Sequence, residues 1–357
     1  MIRIGAGEAT MEKVKIRAIM YALLAAVFYA INVPMSKLLL NNVGPTMMAA
    51  FLYLGAGIGI SCISIMSKKE KKDRLTRNDL PFVIGMIVLD IAAPVFLMLG
   101  LTYGTSSNAS LLGNFEIVAT TVIALILFKE AVSKRLWAAI GLISLSSILL
   151  SFEGSLSFKF SYGSLLVLLA TVCWGLENNC TRSIASKSTY EIVTLKGIFS
   201  GLGALGIAFI KHESFPQIRY ILPALILGFV AYGLSIFLYI RAQSVLGAAK
   251  TSAYYAVAPF VGALLSFIIL HEKLTGMYAV AFLIMATGAS LVVVDTLIRQ
   301  HAHVHVHTFT HTHDGYTHTH TVTHSHEHNH YVTDGKHGRH HTKEELDNLS
   351  KAEHDHT

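Results

Sequence analysis

The sequence predicts an all-α membrane protein. It reads as ten transmembrane helices arranged as two inverted five-helix repeats, followed by a disordered His-rich C-terminal tail. Three observations predict this. The 357 residues are 53% hydrophobic and only 14% charged, with a mean hydropathy of +0.53, whereas a soluble domain carries about 25% charged residues. The apolar residues come in runs of about 18 or more, enough to cross a hydrocarbon core of roughly 30 Å as helices, the form in which backbone polar groups stay paired in lipid. The third observation is an internal repeat. Asn108 to Leu150 is an apolar span, then Phe128-Lys129-Glu130, a short polar break and a second span, and the order returns 142 residues later from Lys250 to Val292. Glu272 answers Glu130, Thr275 answers Ser133 and Asp295 echoes Glu153. A period this long is not that of a solenoid, and two related halves are a common plan for transporters.

The spans are read at 17–39, 45–66, 80–103, 106–128, 134–152, 162–185, 190–210, 219–241, 247–270 and 275–298. Residues 1–16 form a short polar, cytoplasmic N-terminus, with Met11 opening a basic lead-in and standing as an alternative start to Met1. The first repeat covers 17–152, the second 162–298 and the tail 299–357. Most connections are short, so neighbouring spans are antiparallel. The loop Ser67–Asp79 holds six basic residues. Placing the N-terminus inside puts that loop, Lys13, Lys15, Lys129, Lys134, Arg135, Lys187, Arg241 and Arg299 on the cytoplasmic side, which satisfies the positive-inside rule with both termini cytoplasmic. Five spans per half is an odd number, so the second half enters the membrane upside down. The net charge of +6 is thus topological and does not point to nucleic acid. Cys62, Cys173 and Cys180 fall within spans and read as reduced packing residues.

The two halves also open alike. Tyr29-Ala30-Ile31-Asn32 with Lys37 parallels Trp174-Gly175-Leu176-Glu177 with Arg182, at an offset of 145. On these residues, with Glu130, Glu272 and Gly288, the chain resembles the drug/metabolite transporter superfamily, specifically its EamA-type members with two five-helix repeats. It departs from their pattern at Tyr29, Ala30, Glu177, Ala139, Ala281 and Ser146. The resemblance implies export or exchange of small metabolites through a central cavity.

Ionisable groups inside a bilayer are costly and face a cavity or a partner. Asp90, Glu116 and Glu177 are such groups, and each suits proton coupling or a structural ion pair. Trp174, Glu177, Asn178 and Thr181 lie at helical spacing on one face. That face reads either as a cavity lining or as a hydrogen-bonded patch joining helices. Asn32 holds the matching place in the first half, Asn178 and Arg182 are spaced to interact, and Tyr232, Tyr239, Tyr254 and Tyr255 add hydroxyls. The candidate substrate site is therefore Asn32, Asp90, Glu116, Trp174, Glu177, Asn178, Tyr232, Tyr239, Tyr254 and Tyr255. Pro34, Pro94 and Pro259 are expected to kink their spans. Glu130 and Glu272 are read as capping the helices that follow them, helped by Ser133 and Thr275. Gly55, Gly57, Gly59, Gly201, Gly203 and Gly206 suit close helix packing.

Residues 301–357 hold 17 of the 19 histidines. Imidazole suits Zn, Ni, Co and Cu, so His301, His303, His305, His307, His311, His313, His318, His320, His324, His326, His328 and His330 form a candidate metal-binding set. A pH-sensing tail is the other reading. No nucleophile motif, phosphate-binding loop or ATP site is found, so an enzyme is not expected and no cofactor is required. The expected class is a plasma (inner) membrane secondary transporter of small organic metabolites, proton-coupled. A divalent-metal (Zn/Ni/Co) efflux or metal-regulated transporter, and a metal-buffering membrane protein, are the alternatives. Expected partners are the lipid bilayer, a small-molecule substrate, protons, divalent metal ions and a second copy in a homodimer.

Overall fold

A computed structural model describes residues 2–66, 74–128, 133–152, 161–184, 187–246, 251, 254–313 and 316–329. The helices of the first half are α1 (Ile2–Ala30), α2 (Asn32–Leu39), α3 (Pro45–Met66), α4 (Leu80–Tyr103), α5 (Ser106–Leu112), α6 (Phe115–Phe128) and α7 (Lys134–Leu150). The second half holds α8 (Tyr162–Ser183), α9 (Thr189–Ile210), α10 (Ile218–Gly228), α11 (Ser235–Leu246), α12 (Ala258–Leu270) and α13 (Gly276–Arg299). Among the described residues, seven helices are long and apolar enough to cross a membrane, and α12 is a shorter apolar helix. α7 and α8 occupy the remaining expected positions, α8 carrying Glu177, Asn178, Asn179 and Arg182 along its length. Large apolar side chains such as Leu145, Phe199, Leu202, Leu264 and Leu283 are exposed on the outer surface, as a lipid-facing shell requires.

The two halves pack reciprocally. α3 lies on α9 and α7 on α13, each the counterpart of its partner, and α5 lies against α12. α4 packs on α8 while α1 packs on α11, and α6 packs on α8 while α1 packs on α12. Contacts of this kind, like to like and crosswise in pairs, are those of two repeats about a shared axis.

Glycine brings backbones together at the centre. A Cβ on Gly55 would stand 2.1 Å from the carbonyl oxygen of Leu225, and one on Gly228 2.0 Å from that of Leu52. Gly57 and Gly197 meet in the same way where α3 crosses α9. Gly59, Gly201 and Gly203 also sit at close contacts, but Gly206 faces open space and does not serve packing. The small residues α7 and α13 carry in place of glycine make their own contact: Ser146 Oγ donates to the Ala281 carbonyl at 2.6 Å.

Helix breaks fall where the chain cannot continue its ladder. Pro34 has no N–H to give the carbonyl of Ala30, and α1 ends there with a turn at Ile31. Pro94, by contrast, sits inside an uninterrupted α4. Pro259 opens α12 rather than kinking a helix, in the first turn where its missing N–H costs nothing. Gly113 and Asn114 separate α5 from α6, and Ala256 and Val257 precede α12 at the repeat-equivalent place. Between α10 and α11, Phe229–Leu234 forms a π-helical segment.

The tail departs from the expectation of disorder. Gln300–His313 (β1) and Tyr316–Asn329 (β2) form a two-stranded antiparallel hairpin. Low apolar content argued for a chain without structure. The alternation of histidine with β-branched threonine and valine is a strand pattern, however, and Asp314-Gly315 between the strands is a tight-turn sequence.

Candidate functional site

α4, α8 and α9 meet at the interface of the halves, and each brings one ionisable side chain to the junction. Lys196 Nζ lies 3.0 Å from Asp90 Oδ2 and 3.0 Å from Glu177 Oε1. The carboxylates are sealed, with 0% and 3% of their side-chain surface exposed, while Lys196 keeps 16%. Tyr53 of α3 donates its hydroxyl to Asp90 Oδ1 at 2.9 Å, and Trp174 Nε1 reaches the Tyr53 oxygen at 3.4 Å. Thr181, one turn beyond Glu177 on α8, donates to Glu177 Oε1. Two charges of one sign thus share one counterion, with further donors from Tyr53 to Asp90 Oδ1 and from Thr181 to Glu177 Oε1.

Lys196 escaped the sequence reading. Its signal was a lone cation seven residues into the apolar run that starts at Thr189, which an intramembrane rule flags as functional.

A chain of tyrosine rings runs on from Tyr53. Tyr53 and Tyr232 stand with ring centroids 5.2 Å apart, Tyr29 and Tyr232 5.9 Å, Tyr29 and Tyr255 5.8 Å, and Tyr239 and Tyr255 5.2 Å. Tyr232 is carried on the π-helical segment, a wider turn that shifts the following side chains relative to a regular helix. Its hydroxyl accepts from Asn32 Nδ2 at 3.0 Å, and Asn32 Oδ1 accepts from Ser36. Asn178 Nδ2 donates to Glu116 Oε1 at 2.7 Å and reaches Thr120 at 3.3 Å. Nine of the ten predicted residues therefore gather along α4, α6, α8 and the first, eighth and ninth expected spans. Tyr254 is half-buried, and among the described residues no ring packing joins it to the chain. Asn178, expected to pair with Arg182, is committed to Glu116 instead.

The repeat explains where these residues sit. Asp90 and Tyr232 are 142 positions apart, Asn32 and Glu177 are 145, and Tyr53 and Lys196 are 143. Tyr29 and Trp174 form the fourth pair at 145. Each half thus supplies the same positions to one cluster, with unlike chemistry: Asn32 bonds Tyr232 in one place, and Glu177 reaches Asp90 through Lys196 in the other.

At one end of the bundle, glutamates of the second half hold helix N-termini of the first. Glu213 accepts from Thr46 N and Met47 N at 3.1 and 2.8 Å. Glu272 accepts from Ser106 N and Ser107 N at 2.7 and 2.9 Å. Both follow a histidine with positive φ, His212 at 54° and His271 at 51°, which ends the preceding helix and turns the glutamate across. Glu272 is therefore a cap, but of α5 and not of its own next helix. Thr275 caps that helix, accepting from Tyr278 N, and Ser133 caps α7 while donating to Asp295. Glu130 lies outside the described residues. Lys37 reaches the Leu101 and Gly104 carbonyls at the C-terminus of α4, a cation where the helix dipole favours one. At the other end, Glu191 Oε2 accepts from Leu75 N at 3.1 Å.

Among the described residues of the bundle, no group of three or more His, Cys, Asp or Glu side chains is arranged to hold a metal ion. His301 to His328 lie on the hairpin, and His330 lies outside the described residues.

The comparisons agree with this architecture. The model of the EamA-like transporter family matches residues 16–152 and 161–294, one match per half. An uncharacterized transporter of Methanothermobacter thermautotrophicus is 26% identical over 292 residues, covering 75% of this chain and 83% of its own. The uncharacterized transporter YyaM of Bacillus subtilis is 22% identical over 259 residues, covering 68% and 82%. A solved crystal structure aligns with a TM-score of 0.58 at 15% identity, over 80% of this chain and 97% of that one, a likeness of fold. With both halves matched by the family model and a reciprocal packing to go with them, the chain is a multi-pass membrane protein belonging to the EamA-like transporter family.

Proposed function

We propose that the chain is a secondary transporter with ten membrane spans in two inverted repeats, both termini cytoplasmic, in the plasma membrane. It exports or exchanges a small organic solute carrying an amine, such as an amino acid or a cationic drug, in exchange for protons. One observation carries the reading: the single ammonium of Lys196 between the two buried carboxylates of Asp90 and Glu177.

One ammonium neutralises one of two carboxylates. An unpaired charge in a sealed apolar site is costly, so the second carboxylate takes a proton or the ammonium of a solute. Lys196 already has the chemistry of such a solute, tethered by its own stem. A free amine entering from the tyrosine side competes with it for the same oxygens, and a proton leaves as the amine arrives. The tyrosine rings offer faces to a cation or an aromatic group. The ties through Glu213, Glu272 and Lys37 close the outer end in this orientation, and alternating access requires them to part while the Glu191 end closes.

The test uses purified protein in proteoliposomes with a pH-sensitive dye inside and a panel of amino acids, polyamines and cationic drugs outside. Solute-driven proton movement is expected, and it disappears in Glu177→Gln. Absence of flux for every member of the panel, with the protein shown to be folded by a sharp thermal transition, overturns the proposal.

A further inference from the structure

The register of the C-terminal hairpin sets histidine opposite histidine. The Cα partners are His301 with His328, His303 with His326 and His305 with His324, three consecutive rungs, and His311 with His318 near the turn. Every histidine of β1 falls on an odd position and every histidine of β2 on an even one. Residues two apart on a strand share a face, and so do cross-strand partners. The pairing joins odd to even positions throughout. All histidines of both strands therefore occupy one face of the hairpin, and threonines, with valine, serine and a glutamate, hold most of the other. A slip of one residue would send the two sets to opposite faces.

Partners across an antiparallel pair stand about 4.5–5.5 Å apart at Cα, and successive rungs on one face are roughly 6.8 Å apart, two residues at about 3.4 Å each. Neutral imidazole is a ligand for borderline divalent ions. Two neighbouring rungs carry four imidazoles, the number that a tetrahedral zinc ion takes.

We infer that the histidine face of this hairpin is a binding site for divalent zinc or nickel, set by strand register and separate from the solute site in the bundle. Register distinguishes it from a flexible chain that chelates through composition alone. In such a chain any two histidines are interchangeable. On the ladder, partners belong to one site and distant histidines do not.

The experiment is a double-mutant cycle on the full-length chain in detergent, titrated with ZnCl2 and with NiCl2 and read by calorimetry. His303→Ala is expected to weaken the tightest site about tenfold or more, on the scale of losing one element of a metal site. Adding His326→Ala, its partner, costs little more, because the site is already broken. Adding His318→Ala, four rungs away, costs as much as it does alone. Thermal unfolding of the bundle in the absence of metal serves as the folding control and stays unchanged in all variants. Equal, additive losses for the two double variants overturn the inference, as does zinc or nickel binding that survives all the substitutions unaltered.

Discussion

Asp90 and Tyr232 stand at equivalent positions of the two repeats and meet through one side chain, Tyr53, which donates its hydroxyl to Asp90 and packs its ring on Tyr232. Around this pair the cluster divides into a charged branch through Lys196 and a neutral branch through Asn32.

The charged branch predicts an asymmetric response to mutation. Lys196→Met leaves Asp90 and Glu177 buried together without a counterion, and breaking a buried pair on one side costs about 3–5 kcal/mol. A large fall in the unfolding temperature in detergent is expected. Adding Asp90→Asn and Glu177→Gln removes both stranded charges and restores most of the loss. A triple variant as unstable as Lys196→Met would show that Lys196 acts through packing instead.

The neutral branch predicts a small effect. Tyr232→Phe removes the partner of Asn32 Nδ2, and a hydrogen bond between membrane helices is worth about 0.6 kcal/mol on average. Thermal stability should fall slightly, and solute affinity should change more than stability if the tyrosine chain contacts the solute.

At Gly55 the expected outcome is severe. Its Cβ would meet the Leu225 backbone carbonyl, which cannot swing aside like a side chain. Gly55→Ala forces α3 and α10 apart and should abolish the monodisperse folded fraction in size-exclusion chromatography. Gly206→Ala and Gly141→Ala, with nothing within 4 Å of the added methyl, are the controls and should fold normally.

Glu272→Ala uncovers two N–H groups at the start of α5, and loss of an N-terminal cap costs roughly 0.5–2 kcal/mol. Glu213→Ala does the same for α3. Because both ties cross between the halves, each variant should also raise labelling of a cysteine introduced beside Tyr53, read with a membrane-impermeant thiol reagent. Unchanged labelling would mean that the ties stabilise without closing the outer end.

His271 is exposed and left-handed, a conformation that costs a non-glycine residue roughly 1–2 kcal/mol. His271→Gly removes that penalty and should raise the unfolding temperature while leaving the Glu272 tie in place.

The two-fold repeat, the apolar helical character and most of the cluster were legible because they are patterns of polarity: a carboxylate or amide in an apolar run is visible without coordinates. Lys196 was legible by the same rule. It was lost among the lysines that set topology, since a count of loop charges does not ask how deep a cation lies. What Asn178 or Glu272 would bind was not legible. Each had a near neighbour in sequence, Arg182 or the next helix, and tertiary packing supplied a different one, Glu116 or α5. The π-helical segment at Tyr232 left no composition signal. The hairpin did leave one, the alternation around Asp314-Gly315, but it is outweighed when composition is read before period.

The unlike residues at equivalent positions bear on the direction of transport. Repeats related by a two-fold axis trade conformations when access switches sides. Were the two halves identical throughout, the inward-open and outward-open forms would be degenerate. The halves are not the same, so in a carrier of the proposed kind the two forms differ in energy, and a gap of about 1.4 kcal/mol makes a tenfold preference for one side. Replacing the ion cluster with a copy of the neutral branch would remove one of the differences that separate the two orientations.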